Sequence, residues 1–281
     1  MKSSPPTRFS NYKFSIQAGG FSLIEFIIVI VILAILSVAI TTIFTDTTVG
    51  YLQSENRIKM SSSARIAIEK ISREVRTSMP GSVRVNSANT CVEFVPIEVA
   101  TSYSEIPTTS PDTQITVVER DAATNISGLS TSNLYTMIIP LNSSEVYNTS
   151  TGHFAVVGGF TKLGSNLTQV TINSTRFSRT SPQQRIFFVR QPVSYCIVGN
   201  RLNRYSDYGF NVSQPDTSSM GTADLVLTDI SNSDGSGTTT NLFSYDTGAL
   251  NRGGILLIEF FLQGRDETVK LEHEVHVRNF P

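Results

Sequence analysis

Gly20, Phe21 and Glu25 are the residues of this chain whose types and spacing point most clearly to chemistry. Gly20 carries no Cβ, and were the chain cut after it a new ammonium group would stand on Phe21. Glu25 follows four residues later inside an otherwise apolar run that continues to Ile40. A charged side chain deep in hydrocarbon costs roughly 2.5 to 3.5 kcal/mol on insertion scales, so such a residue calls for a partner. The ammonium of Phe21 on a neighbouring, axially shifted copy of the helix can supply it. Breaking a buried ion pair by removing one member costs about 3 to 5 kcal/mol, enough to fix the register of two neighbouring helices. Without cleavage the preceding residues block that contact.

The two cysteines, Cys91 and Cys196, are the second candidate pair. Both fall in predicted strands of a region expected on the oxidising side of a membrane, which favours a disulfide; the alternative is two unpaired buried thiols. Other groupings carry less. In His273-Glu274-Val275-His276 the histidines are three apart on a predicted strand, whereas zinc-protease ligands need i and i+4 on a helix. The run 229–237 holds Asp229, Asn232 and Asp234 without an ordered calcium-ligand series and reads as a loop. No serine, histidine and acid set stands out, so the expectations are no catalytic residues, no metal and no cofactor. With 22 basic and 23 acidic residues and a formal net charge of −1, the chain has no basic footprint for nucleic acid.

These residues must be positioned by a membrane helix and its continuation. Residues 1–20 carry Lys2, Arg8 and Lys13 and no acid, so they are expected to stay in the cytoplasm and orient the following span outward. Residues 21–44 are long enough to cross a bilayer, for which about 20 suffice, and too long for the apolar core of a secretory signal, with no small-residue cleavage pattern beyond them. Residues 45–79 contain no proline, and Met60, Ala64, Ile68, Ile71, Val75 and Met79 recur at helical spacing. An amphipathic stalk is therefore predicted, with weak support from Lys70–Glu74 and Glu69–Arg73 pairs and a stop at Pro80-Gly81. The threonines between 41 and 48 and Gly50 predict bending or local melting between the two halves.

From residue 82 to residue 281 the pattern changes to short β-type runs separated by Ser, Thr, Asn, Gly and Pro. Predicted strands are 82–85, 91–97, 115–119, 134–141, 154–157, 169–172, 186–190, 193–198, 201–205, 224–230, 255–262 and 268–278. Gly199-Asn200 predicts a two-residue hairpin turn. A second hairpin turns at 263–266 into a strand with one wet and one dry face. The expected class is α+β, with a long N-terminal helix packed on a large antiparallel head of one domain or two.

Gly19-Gly20-Phe21-Ser22-Leu23-Ile24-Glu25 resembles the class III signal of type IV prepilins and pseudopilins. In that family a membrane peptidase cuts after the glycine and methylates the new N-terminus, which implies cleavage at Gly20–Phe21, N-methylation of Phe21 and an assembly role for Glu25. Residues 63–76 are similar to the stalk of minor pilins of the J and W classes. The blocks Cys91-Val92-Glu93-Phe94-Val95-Pro96 and Pro192-Val193-Ser194-Tyr195-Cys196, with Arg201-Leu202 and Arg204-Tyr205, resemble the MshO family of mannose-sensitive haemagglutinin (MSHA) pilus systems. The Thr/Ser-rich insertions match nothing in that pattern.

The resemblance implies the type IV pilin fold and a subunit that primes or caps a pilus near its tip. Implied partners are major and minor pilins, the prepilin peptidase, the inner-membrane assembly platform and inner-membrane lipid. The implied location is a single-pass inner-membrane protein with a periplasmic head, later part of an extracellular pilus. A tip adhesin for surfaces or glycans, and a J-like pseudopilin of a type II secretion system, are the alternative readings.

Overall fold

The structure is a computed structural model that describes residues 20, 22–119, 125–231, 233, 241–248, 253–264 and 267–277. Residues 1–19, Phe21, most of the run 229–237 and residues 265–266 lie outside the described residues. The chain forms two compact units, Met1–Glu55 and Asn56–Pro281.

Helix α1 runs from Leu23 to Arg76 and contributes to both units. It is long and apolar enough to cross a membrane, and its most apolar stretch is not buried by protein. Large side chains such as Leu23, Phe26, Ile35, Val38 and Phe44 are therefore exposed. An apolar surface of this extent on a soluble monomer would be a liability, and lipid or other apolar helices are what can cover it. The expected melting at the threonines does not occur: residues 41–50 are helical. The Thr41, Thr45 and Thr47 hydroxyls donate to the carbonyls of Ser37, Thr41 and Ile43 at 2.7, 3.1 and 2.7 Å. Each hydroxyl thus finds an acceptor one turn back within the helix, a bond that tends to bend a helix and does not unwind it.

In the second unit the same helix changes character. Ala64, Ala67, Ile68, Ile71 and Val75 are buried, at the three-and-four spacing of one face, and join a core with both adjoining sheets. The expected Lys70–Glu74 pair is replaced: Glu74 receives the Arg204 guanidinium at 3.2 Å, a tertiary tie in place of a local one. The helix ends at Arg76, and Met79 N–H donates to Val95 O at 2.7 Å, which leads the chain into the sheet.

The first sheet has the order β1-β2-β9-β10-β11, all antiparallel, from β1 (Arg84–Val85), β2 (Cys91–Phe94), β9 (Val193–Val198), β10 (Arg201–Tyr205) and β11 (Ala223–Leu227). The β9–β10 turn uses Gly199 at φ 62°, with Val198 paired to Arg201, the two-residue turn predicted from Gly-Asn. The second sheet pairs β14 (Gly254–Gln263) with β12 (Ile230–Ser231) and β13 (Phe243–Asp246) on one edge and with β15 (Thr268–Val277) on the other. Along β15, Lys270, Glu272, Glu274 and His276 are exposed while Val275 and Val277 are buried, the predicted alternation.

Between β2 and β9 the chain makes an excursion that sequence reading did not resolve. Strands β3 (Ile97–Glu105), β4 (Asp112–Val118), β5 (Tyr135–Met137), β6 (Phe154–Lys162), β7 (Leu167–Thr175) and β8 (Arg185–Val189) close into a six-stranded barrel in the order β3-β4-β7-β6-β5-β8. It has its own core, including Tyr103, Ile115, Leu134, Val170, Phe177 and Phe188. A short helix α2, Ser143–Tyr147, is capped by Asn142, whose side chain accepts from the Glu145 N–H. Three readings are corrected here. The run 91–97 is two strands, because Pro96 cannot donate to a ladder and marks the passage from sheet to barrel; the run 134–141 is a strand only over Tyr135–Met137; and β3 and β13 were missed because polar residues interrupt their alternation.

Candidate assembly site

Ser22 begins the site. Its Oγ accepts from the Glu25 N–H at 3.3 Å and its carbonyl accepts from the Phe26 N–H at 3.2 Å, so Ser22 is the N-cap and Glu25 the acid of the first turn. Ser-x-x-Glu at a helix start is the capping-box sequence, a second signal carried by the residue that stands out as a membrane charge. A carboxylate in the first turn is also favoured by the helix dipole, by about 0.3 to 1 kcal/mol at exposed positions. That is small beside the cost of carrying the charge into hydrocarbon. Among the described residues the Glu25 carboxylate takes no side-chain partner, and the residue is exposed. Gly20 is exposed too, and a Cβ placed on it meets nothing within 4 Å. The fold of this chain therefore sets no steric demand for glycine there. Phe21 lies outside the described residues.

Cys91 and Cys196 are bonded. They face each other in the β2–β9 register, with Cα atoms 4.1 Å apart, beside the Ile197 N–H to Thr90 O bond of 2.9 Å. They therefore occupy a non-hydrogen-bonded pair, the closer of the two antiparallel spacings. The bridge spans 105 residues of sequence and so encloses the whole barrel.

Next to it lies a charge cluster that sequence reading missed. Glu93, on β2, is completely buried. Its Oε2 accepts from Arg84 Nε at 2.6 Å and its Oε1 from the Tyr208 hydroxyl at 3.0 Å. Burial pushes the Glu93 carboxyl upward from its usual range, and the hydrogen bond and charge of Arg84 oppose that push. The rest of the Arg84 guanidinium donates to Val212 O and Asn211 O at 2.6 and 2.9 Å and stacks over the Tyr147 ring, 3.6 Å from its centroid. Tyr147 OH in turn donates to Ser82 O at 2.9 Å. One side chain thus ties the first sheet, helix α2 of the excursion and the 211–212 loop together. The available signal was an acid inside the apolar run Cys91-Val92-Glu93-Phe94-Val95, the same signal that singled out Glu25.

At the far end of α2, buried His153 contacts Ile138 O through Nδ1 at 3.2 Å and Ser178 Oγ through Nε2 at 3.2 Å. Glu145 approaches the same Nε2 at 3.7 Å and is held on both oxygens by Arg179, at 2.9 and 3.0 Å. Serine, histidine and acid do meet here, but the acid shares the nitrogen that faces the serine instead of orienting the other one, as a triad requires. Ser178 Oγ also lies 3.3 Å from the carbonyls of Thr151 and Gly152, so it ties two loops together. His273 and His276 occupy β15 on opposite faces, as expected for a strand.

Residues 17–41 match the prokaryotic N-terminal methylation motif. No curated protein and no solved structure matches the chain. The motif covers Gly20, Phe21, Glu25 and the apolar half of α1, and together with a long apolar helix and antiparallel sheets it supports a type IV pilin-like protein with a class III leader.

Proposed function

We propose that this chain is a minor pilin of an MSHA-type type IV pilus. It is cleaved after Gly20 and N-methylated at Phe21 by a prepilin peptidase, and it primes or caps filament assembly near the tip. Before assembly it is a single-pass inner-membrane protein with its head in the periplasm. The observation that carries this reading is Glu25 in the first turn of an apolar helix that protein does not cover, one turn beyond the methylation-motif junction. Its carboxylate neutralises the Phe21 ammonium of a neighbouring subunit, and each charge offsets the other's desolvation. The MSHA assignment is supported by the sequence resemblance of the blocks 91–96, 192–196, Arg201-Leu202 and Arg204-Tyr205, which lie on the adjacent strands β2, β9 and β10.

The test is Glu25→Val. Insertion and cleavage should remain near the parent level while incorporation into sheared filaments is lost; normal entry of the variant into filaments would refute the pairing. The adhesin reading is favoured by one feature, the closed barrel between β2 and β9, a self-contained body added to the sheet. Membership of a type II secretion system rather than a pilus would appear as loss of exoprotein release with normal piliation when the gene is deleted.

A further inference from the structure

We propose that the free edge of β15, with the arginine-lined flank of α1 beside it, binds an extended acidic segment of a different protein chain by strand addition. Among the described residues β15 pairs only with β14. Gly264 N–H donates to Glu267 O at 2.8 Å, and the β14–β15 register continues from that pair through Gln263↔Thr268 and Leu262↔Val269. Hydrogen-bonded and non-hydrogen-bonded pairs alternate along an antiparallel ladder. Val269, Leu271, His273 and Val275 therefore spend their backbone groups on β14, while those of Thr268, Lys270, Glu272 and Glu274 point away from it. Unpaired edges of this length are templates for another strand.

Alongside the edge lies a groove of about 990 Å³, bounded by Arg65, Ile68, Arg73 and Arg76 of α1 and by Lys270 to His273 of β15. From Arg65 to Arg76 the helix rises about 16 Å, the length of about five residues of extended strand. Charge selects the occupant. Lys270 is already held by Glu259 at 2.8 Å and Glu272 at 3.0 Å, whereas Arg65, Arg73 and Arg76 form no ion pair among the described residues. Glu69 is the acid on that flank. Three arginines and Lys270 against Glu69 and Glu272 leave the groove positive, which suits a strand with acidic side chains toward α1. A second copy of this chain would bring the same arginines and be repelled. A chain that never entered a filament would still present this edge, so the two readings fail separately.

The experiment uses the full chain in non-ionic detergent micelles and two labelled octapeptides, one alternating Glu with Val and one alternating Lys with Val. The Glu peptide should bind on the order of tenfold or more tightly than the Lys peptide, and it should slow amide hydrogen exchange at Lys270, Glu272 and Glu274. The exposed double variant Arg65→Glu/Arg73→Glu should reverse that preference. Glu272→Pro removes an outward-facing N–H without touching the β14 ladder, so it should abolish binding while the Cys91–Cys196 bridge still forms. Equal binding of the two peptides, absence of binding, unchanged binding to the proline variant, or dimerisation through β15 would each overturn the proposal.

Discussion

Glu25 and Glu93 are both acids set in apolar sequence, and their surroundings resolve the same physical problem in different ways. Glu93 is paired within its own chain with Arg84 and accepts a hydrogen bond from Tyr208. Removing one member of such a buried pair leaves the other uncompensated, at about 3 to 5 kcal/mol. Arg84→Met is expected to lower head stability by that amount in chemical denaturation; a change below about 1 kcal/mol would mean that the cluster is solvated in practice. Glu25 has no such partner among the described residues, which is why its role points outside the chain. The disulfide is a third residue-scale prediction. In the chain-entropy model a loop of this length contributes about 4 to 5 kcal/mol, so Cys91→Ser/Cys196→Ser should lower the denaturation midpoint strongly, and reduction of the parent should reproduce the loss. His153 sets a pH dependence. Burial lowers its pKa below 6.5, with Glu145 opposing and Arg179 assisting. The unfolded chain therefore takes up this proton first, and stability present above pH 6.5 declines as pH falls through that value. Raised Glu93 acts in the opposite direction, above 4.5, so the comparison to make is parent against His153→Gln in matched buffers. The variant should show a shallower decline between pH 7 and pH 5.

At the scale of elements, α1 shows how one helix serves two environments. Its face in the second unit follows the apolar spacing from Met60 to Val75, and that pattern was legible because burial on one side of a helix leaves a period in the sequence; Met79, expected on the same face, lies past the helix end and packs with Val95 and Phe187 instead. The behaviour of residues 41–50 was not legible. Propensity ranks threonine low, yet the hydroxyls of Thr41, Thr45 and Thr47 bond to carbonyls one turn back inside an unbroken helix. The strands divide the same way. Gly199-Asn200 and the alternation from Val269 to Val277 declared themselves, since turn chemistry and a half-wet face are local properties. The strand β3 did not, because Ala100, Thr101, Ser102 and Ser104 dilute its alternation and its pairing partners, β4 and β8, are set by tertiary contacts.

For the whole molecule, the α+β class was readable and the methylation-motif region could be recognised, whereas the barrel was not. Barrel closure depends on β8 returning to β3 across more than eighty residues, and no local pattern encodes it. The barrel enters and leaves the first sheet at one place: Arg190 N–H donates to Pro96 O at 3.1 Å, and Phe94 pairs with Val193. A short Gly-Ser link from Pro96 to Arg190, replacing 97–189, should therefore leave the β2–β9 pairing and the Cys91–Cys196 bridge intact. Stability should fall, because Met79 and Val95 lose the Val146, Phe154 and Phe187 side chains packed near them. If the shortened chain still enters filaments but cells no longer attach, the barrel is the adhesive part; failure of the bridge to form would show that the sheet cannot fold without it.

The central claim is processing at Gly20–Phe21 for assembly through Glu25, and its most direct test is mass spectrometry of the N-terminal peptide of the protein from cells with and without an active prepilin peptidase. The account predicts N-methylated Phe21 as the first residue only where the peptidase is active, and retention of residues 1–20 where it is not. An N-terminus at any other residue, or an unchanged leader in both strains, would contradict it.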